Sequence, residues 1–204
     1  MTQDTETLLK WVPEETAEQA PAIARRSGKL LFVDLYAPGC KGCEKLDKTT
    51  YLDREVADVL NERFVPVLIN ARRESAALRV LNGGHAYVFS PVLIVYAPDG
   101  RELRRSSGYL SPQAMLLELH IALAVAEMDR ARWVEAHRIL DDATARYRHA
   151  RNLPEAMWWR GVSSYRASGN DLTVLREAWE PLIAGYRGSI WAEKADVLAP
   201  VCEC

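Results

Sequence analysis

Between Leu30 and Tyr36 the chain reads Leu-Leu-Phe-Val-Asp-Leu-Tyr, with Asp34 the one departure from apolar character. A run that short and that uniformly greasy predicts a strand buried on both faces, which requires further layers above and below it. Pro38 and Gly39 end the strand, and the stretch Lys41 to Lys48 can start a helix. Cys40 is thus delivered at the point where a strand ends and a helix begins. Cys43 follows one turn later.

The flanking segments supply the layers. A first helix is predicted from Glu14 to Arg26, ended by Ser27-Gly28. A second runs from Asp53 to Arg63, with Asp53 in N-cap position and Val56, Val59, Leu60 and Phe64 spaced for one buried face. Phe64 to Asn70 reads as another apolar strand, Glu74 to Leu81 as a short helix, and Pro91 to Tyr96 as a third strand. After the turn Ala97-Pro98-Asp99-Gly100 comes a predicted edge strand, Arg101 to Ser107, whose Arg101, Arg104 and Arg105 would discourage edge pairing. Strands separated by helices run parallel and hairpin strands antiparallel, so the expectation is an α/β fold with a mixed central sheet flanked by helices.

Ser111-Pro112 is an N-cap with proline at the first helical position, and from Gln113 onward the pattern is helical to the end. Breaks fall only at Asn152-Leu153-Pro154, Ser168-Gly169-Asn170 and Tyr186 to Ser189. This shift predicts a first domain over residues 1–124 and a smaller all-α domain over 125–204. Within the latter, Arg130 to Tyr147 and Asp171 to Tyr186 look alike, and Glu177-Ala178 follows Glu135-Ala136 by 42 residues. The segment loosely resembles tetratricopeptide-type repeats, although about two units and a 42-residue offset depart from that family's period of about 34. Trp158, Trp159, Trp179 and Trp191 are expected to form its core.

With 49% hydrophobic residues in 204, the chain can bury such cores, and its net charge of −2 gives no electrostatic reason to bind a phosphate backbone. The opening residues carry Asp4, Glu6, Glu14, Glu15 and Glu18 and no long apolar run, and no stretch of about 18 apolar residues occurs anywhere. The expectation is a cytoplasmic protein that engages neither nucleic acid nor membrane.

Four cysteines are too few for a secreted disulfide scaffold, and they come as two close pairs: Cys40 with Cys43, and Cys202 with Cys204. Two cysteines three apart at a helix start can close a small reversible disulfide, and the free N–H groups there stabilise the first thiolate. Cys40 is therefore the candidate nucleophile, with Lys41 adding positive charge beside it. Cys43, one turn inward, is the candidate resolving thiol that expels a bound partner. Asp34, an ionisable group in an apolar strand, should have a raised pKa and suits the role of proton acceptor for Cys43. A cis bond between Ser90 and Pro91 would put a kinked backbone beside the cysteines, and an exposed backbone at Ser90 could pair with an extended substrate peptide.

From Glu14 to Ala124 the chain resembles the thioredoxin family. The matching residues are Phe32 to Cys43, Ser90 to Val95, Asp99-Gly100 and Gly108. The resemblance implies a thioredoxin fold and thiol-disulfide exchange, with Cys40 attacking, Cys43 resolving, Asp34 as buried proton acceptor and Pro91 as the cis-proline. Partners implied are protein disulfide or dithiol substrates and an upstream reductase or other electron donor; no cofactor and no metal are expected. Gly39 stands where the family usually carries tryptophan, removing a flat docking surface. Lys41-Gly42 replaces Gly-Pro between the cysteines, which should loosen the helix start. The linker Ala71 to Gly84 also looks longer than in a minimal thioredoxin.

Other readings stand beside this one. The terminal pair could be a second dithiol relaying electrons to Cys40 and Cys43, an inert tail, or half of a four-cysteine metal cage. The whole could be a non-enzymatic adaptor whose helical part binds a protein partner. His85 is expected in an exposed loop and His120 on a packed or peripheral helix.

Overall fold

The computed structural model describes residues 8–198, so Cys202 and Cys204, with every role considered for them, lie outside the described residues. The chain divides into two compact units between Leu116 and Leu117.

In the first unit a 3-10 helix, Glu14–Gln19, leads into α1, Ala20–Ser27. One continuous helix was the sequence expectation. Pro21 falls within the first two positions of α1 and has no N–H to carry an α-helical ladder back into the preceding turn, so that turn tightens instead. Gly28 closes α1 at φ 69°, a left-handed conformation that glycine adopts without a Cβ penalty. Then follow β1 (Leu30–Tyr36), α2 (Lys41–Lys48), a one-turn 3-10 helix (Thr50–Leu52), α3 (Arg54–Arg63) and β2 (Phe64–Asn70). Asp53 caps α3 by accepting the Val56 N–H at 3.1 Å. The unit continues with α4 (Ala76–Leu81), β3 (Val92–Tyr96) and β4 (Glu102–Ser107), and the chain then enters α5 (Pro112–Met128).

The sheet order is β2-β1-β3-β4, with β1 parallel to β2 and antiparallel to β3, and β3 antiparallel to β4. It is the expected mixed sheet flanked by helices, a thioredoxin fold. Alternation along β1 sends Leu31, Val33 and Leu35 into one core with Val67, Ile69, Ile94 and the small residues Ala17, Ala20 and Ala24. Phe32 and Asp34 take the opposite face, where Trp11 packs against Phe32 and against Tyr51.

On β4, Arg105 does not stand off the edge as a repelling charge. It forks onto Glu102 at 2.7 and 2.9 Å and onto the side chain and backbone of Asn82, both at 3.1 Å. A cation that finds a carboxylate and two amide oxygens within reach is better stabilised there than in water, and it ties the loop after α4 to the sheet.

The second unit is helical: the part of α5 from Leu117 onward, α6 (Trp133–Arg146), α7 (Leu153–Ala167), α8 (Leu172–Gly185), α9 (Ile190–Ala195) and a 3-10 turn. From α6 to α9 each helix packs on the next in chain order. Leu175, Trp179 and Leu182 form the core with Ala192 and Ala195, and Trp158 and Trp191 pack against it. The Glu-Ala pairs occupy the third place of α6 and the sixth of α8, so the 42-residue offset is not the spacing of the helices.

Candidate active site

The site is built where β1 stops. Gly39 takes φ 75°, a backbone turn that a tryptophan would occupy only under strain, which accounts locally for glycine before the first cysteine. The turn closes with the Cys40 N–H donating to the Ala37 carbonyl at 3.1 Å, and Cys40 becomes the N-cap of α2. Its Sγ accepts the N–H of Cys43 at 3.1 Å, and its carbonyl accepts the Glu44 N–H at 3.0 Å. The first turn of α2 is therefore hydrogen-bonded without a proline.

Cys40 and Cys43 are joined as a disulfide, with Cα atoms 5.3 Å apart. Cys40 is half-buried, whereas Cys43 is only 5% exposed. In this state neither sulfur has a thiolate to offer a metal. Lys41 does not lend its charge to Cys40 alone: its ammonium points into solvent and pairs with Glu44 at 3.0 Å, which compensates it and lowers the Glu44 pKa.

Gly42 answers a second constraint that the sequence did not reveal. The Ser90-Pro91 peptide is cis, and a Cβ built on Gly42 would lie 2.9 Å from Pro91 Cδ and 3.9 Å from Cys40 Sγ. The rigid proline ring thus reaches the first turn of α2 between the cysteines, and only a residue without a side chain leaves it room. Ser90 is not an open backbone. It is 4% exposed, and its hydroxyl donates to the Leu35 carbonyl at 3.0 Å and contacts the Tyr87 hydroxyl at 3.0 Å. The surface beside it is made by Val88 and Phe89, 87% and 63% exposed.

Asp34 is 1% exposed. Burial pushes its carboxyl up to about 7, partly opposed by a hydrogen bond in which the Tyr51 hydroxyl donates to Oδ2 at 2.6 Å; Asp47 pushes it up a little further. Its other oxygen, Oδ1, is buried and has no hydrogen-bond partner among the described residues. Tyr51 is held in place because the preceding Thr50 hydroxyl donates to the Leu110 carbonyl at 2.6 Å and the Trp11 ring meets Tyr51 edge-on at 5.2 Å. Sequence reasoning missed Tyr51. A usable signal was present: a buried carboxylate needs a donor, and Thr50-Tyr51 just past α2 offers one.

No helix among the described residues is long and apolar enough to cross a membrane. His85 lies in an exposed loop, 3.9 Å from Glu102, and the His120 ring lies 5.4 Å from that of Tyr147.

Comparison with known proteins places residues 17–122 under the family description Thioredoxin-like domain. The chain is 29% identical over 108 residues to the thiol:disulfide interchange protein DsbD of Tatumella citrea, a match covering 50% of this chain and 18% of that protein. The DsbD of Pseudoalteromonas atlantica is 28% identical over 99 residues, covering 48% and 17%. The chain therefore spans less than a fifth of these relatives. Among solved structures it is similar to a putative disulphide-isomerase from Bacteroides thetaiotaomicron, at 28% identity and TM-score 0.44, covering 56% of this chain and 91% of that one. A thioredoxin from Thermus thermophilus is 20% identical, with TM-score 0.49, covering 58% and 89%.

Proposed function

The chain belongs to the thioredoxin-like domain family, and on that premise we propose that it is a thiol-disulfide oxidoreductase acting on protein substrates through Cys40 and Cys43. The observation that carries this reading is the capping of α2 by Cys40, whose sulfur already receives a backbone N–H at the helix start. The same amide and the positive helix end stabilise a thiolate there once the disulfide is reduced. Cys40, the more accessible sulfur, attacks a substrate disulfide and forms a mixed disulfide. Cys43, sheltered behind it, gives up its proton to Asp34 and attacks Cys40, closing the Cys40–Cys43 bond and releasing the substrate thiol. An upstream reductase or another electron donor restores the dithiol.

Gly39, Pro91 and the buried Ser90 shape the rim of the site, and the helical unit, read as a pair of stacked hairpins, recruits a protein partner. The test is reduction of a disulfide protein with dithiothreitol as electron source. Wild type should accelerate the reaction, and Cys40→Ser should reduce the rate to the uncatalysed background. Activity retained in Cys40→Ser would end the assignment.

A further inference from the structure

The exchange reading leaves one buried polar group without a task. Tyr51, 5% exposed, spends its hydroxyl on Oδ2 of Asp34, while Oδ1 of the same carboxyl has no hydrogen-bond partner among the described residues. Each carboxylate oxygen carries two lone pairs, so the Tyr51 bond fixes the orientation of the carboxyl without using up its capacity to take a proton. Here one oxygen is fixed and the other is open.

We propose that Tyr51 is a positioning residue for thiol-disulfide exchange, whose hydroxyl anchors Oδ2 of Asp34 and so reserves Oδ1 as the atom that exchanges a proton with Cys43. The proposal rests on the exchange reading above. In the step it governs, the Cys43 S–H proton moves to Oδ1 and the sulfur electron pair forms the Cys43–Cys40 bond. The bond between Cys40 and the substrate sulfur breaks, and the substrate sulfur leaves with that electron pair and is protonated. This step oxidises Cys43 and reduces the leaving substrate sulfur, which takes its proton from solvent; over capture and resolution together the cysteine pair loses two electrons and the substrate disulfide gains two.

Tyr51 is suited to donate throughout, because burial and the neighbouring Asp34 carboxyl raise its own pKa well above the ordinary phenol value. It therefore stays protonated over the range in which Asp34 titrates. The titratable groups facing this pair are few. Asp47, on α2, acts on both in the same sense; Cys43 lies on the same helix. The cross-strand neighbours of Asp34 are Leu68 on β2 and Leu93 on β3, which carry no charge.

Tyr51→Phe keeps the ring against Trp11 and removes only the donor, so it separates hydrogen bonding from packing. Without the bond that lowers it, the Asp34 carboxyl titrates at higher pH, and the pH midpoint of the mixed-disulfide resolution rate shifts upward. The rate falls several-fold near pH 6.5 and recovers toward wild type by pH 9. Site-specific 3-fluorotyrosine at position 51, a stronger donor of nearly the same shape, shifts the midpoint downward. Both variants are measured on the full chain, with carbon-detected NMR titration of Asp34 as a readout independent of turnover.

Opposite shifts of the two variants in both readouts support the assignment. An Asp34 titration that neither variant moves would overturn it, as would an equal loss of rate at every pH, the mark of a merely structural role. If wild type shows no exchange at all, the exchange reading itself fails. If wild type exchanges with a midpoint that both variants leave unchanged, only the role of Tyr51 fails.

Discussion

Asp34 sits where a leucine would pack more cheaply, and the consequence is measurable on stability. Its unfolded value lies near 3.8 and its folded value near 7. Between those limits the native state holds a proton that the unfolded chain has released, so stability falls as pH rises from about 4 to 7 and levels off above. Asp34→Asn, which keeps an oxygen for Tyr51, should therefore be more stable than wild type at pH 8, by up to about 4 kcal/mol at roughly 1.36 kcal/mol per pKa unit. That advantage should shrink to near zero at pH 4. Chemical denaturation of the oxidised protein at the two pH values checks both the sign and the window. At this scale the cysteines, Asp34 and Pro91 were all legible, because each breaks a local pattern: a charge in an apolar run, a thiol pair at a helix start, a proline at a strand entry. Tyr51 and the need for Gly42 were not, because a hydrogen bond across 17 residues and a ring approaching from Pro91 leave no mark on sequence periodicity.

Elements proved as readable as their periodicity was strong. β1 and β2 run over Leu30–Tyr36 and Phe64–Asn70, the bounds the apolar runs gave. The first helix split because one proline lacks an N–H, and the apparent repeat lost its register because a matching dipeptide is weaker evidence than a matching helix start. Gly161, in the middle of α7, was invisible to that reading. A Cβ there would overlap the Trp179 indole of α8, whose Nε1 donates to the Trp158 carbonyl at 3.0 Å. Glycine costs helix propensity, about 1 kcal/mol against alanine, and here it secures a helix contact too close for any side chain. Gly161→Ala should thus destabilise the helical unit despite its better propensity, by about 1–3 kcal/mol from overpacking. A lowered melting temperature with the Asp34 titration unchanged is the expected result.

At the scale of the whole molecule, the shift from alternating strands and helices to helices alone announced two units. The expected boundary at 124 lies within α5, as does the division between Leu116 and Leu117. Cys43→Ser leaves Cys40 able to capture a substrate and unable to release it, so the full chain carrying this change should accumulate mixed disulfides in cell extracts, resolved by non-reducing gels and lost on adding dithiothreitol. If the helical unit recruits partners, altering its surface will thin out the captured set while the reduction of a small disulfide stays constant; no captured species at all would favour the adaptor reading. One arrangement bears on how such a protein diversifies. The segment from Asn82 to Ser90 is bolted at one end by Arg105 and at the other by the Ser90 hydroxyl on Leu35, and between those bolts Val88 and Phe89 jut into solvent. Val88 and Phe89, unlike Tyr87, whose hydroxyl meets Ser90, are open to replacement: mutation there can rewrite what the rim greets while the sulfur machinery beneath keeps its alignment.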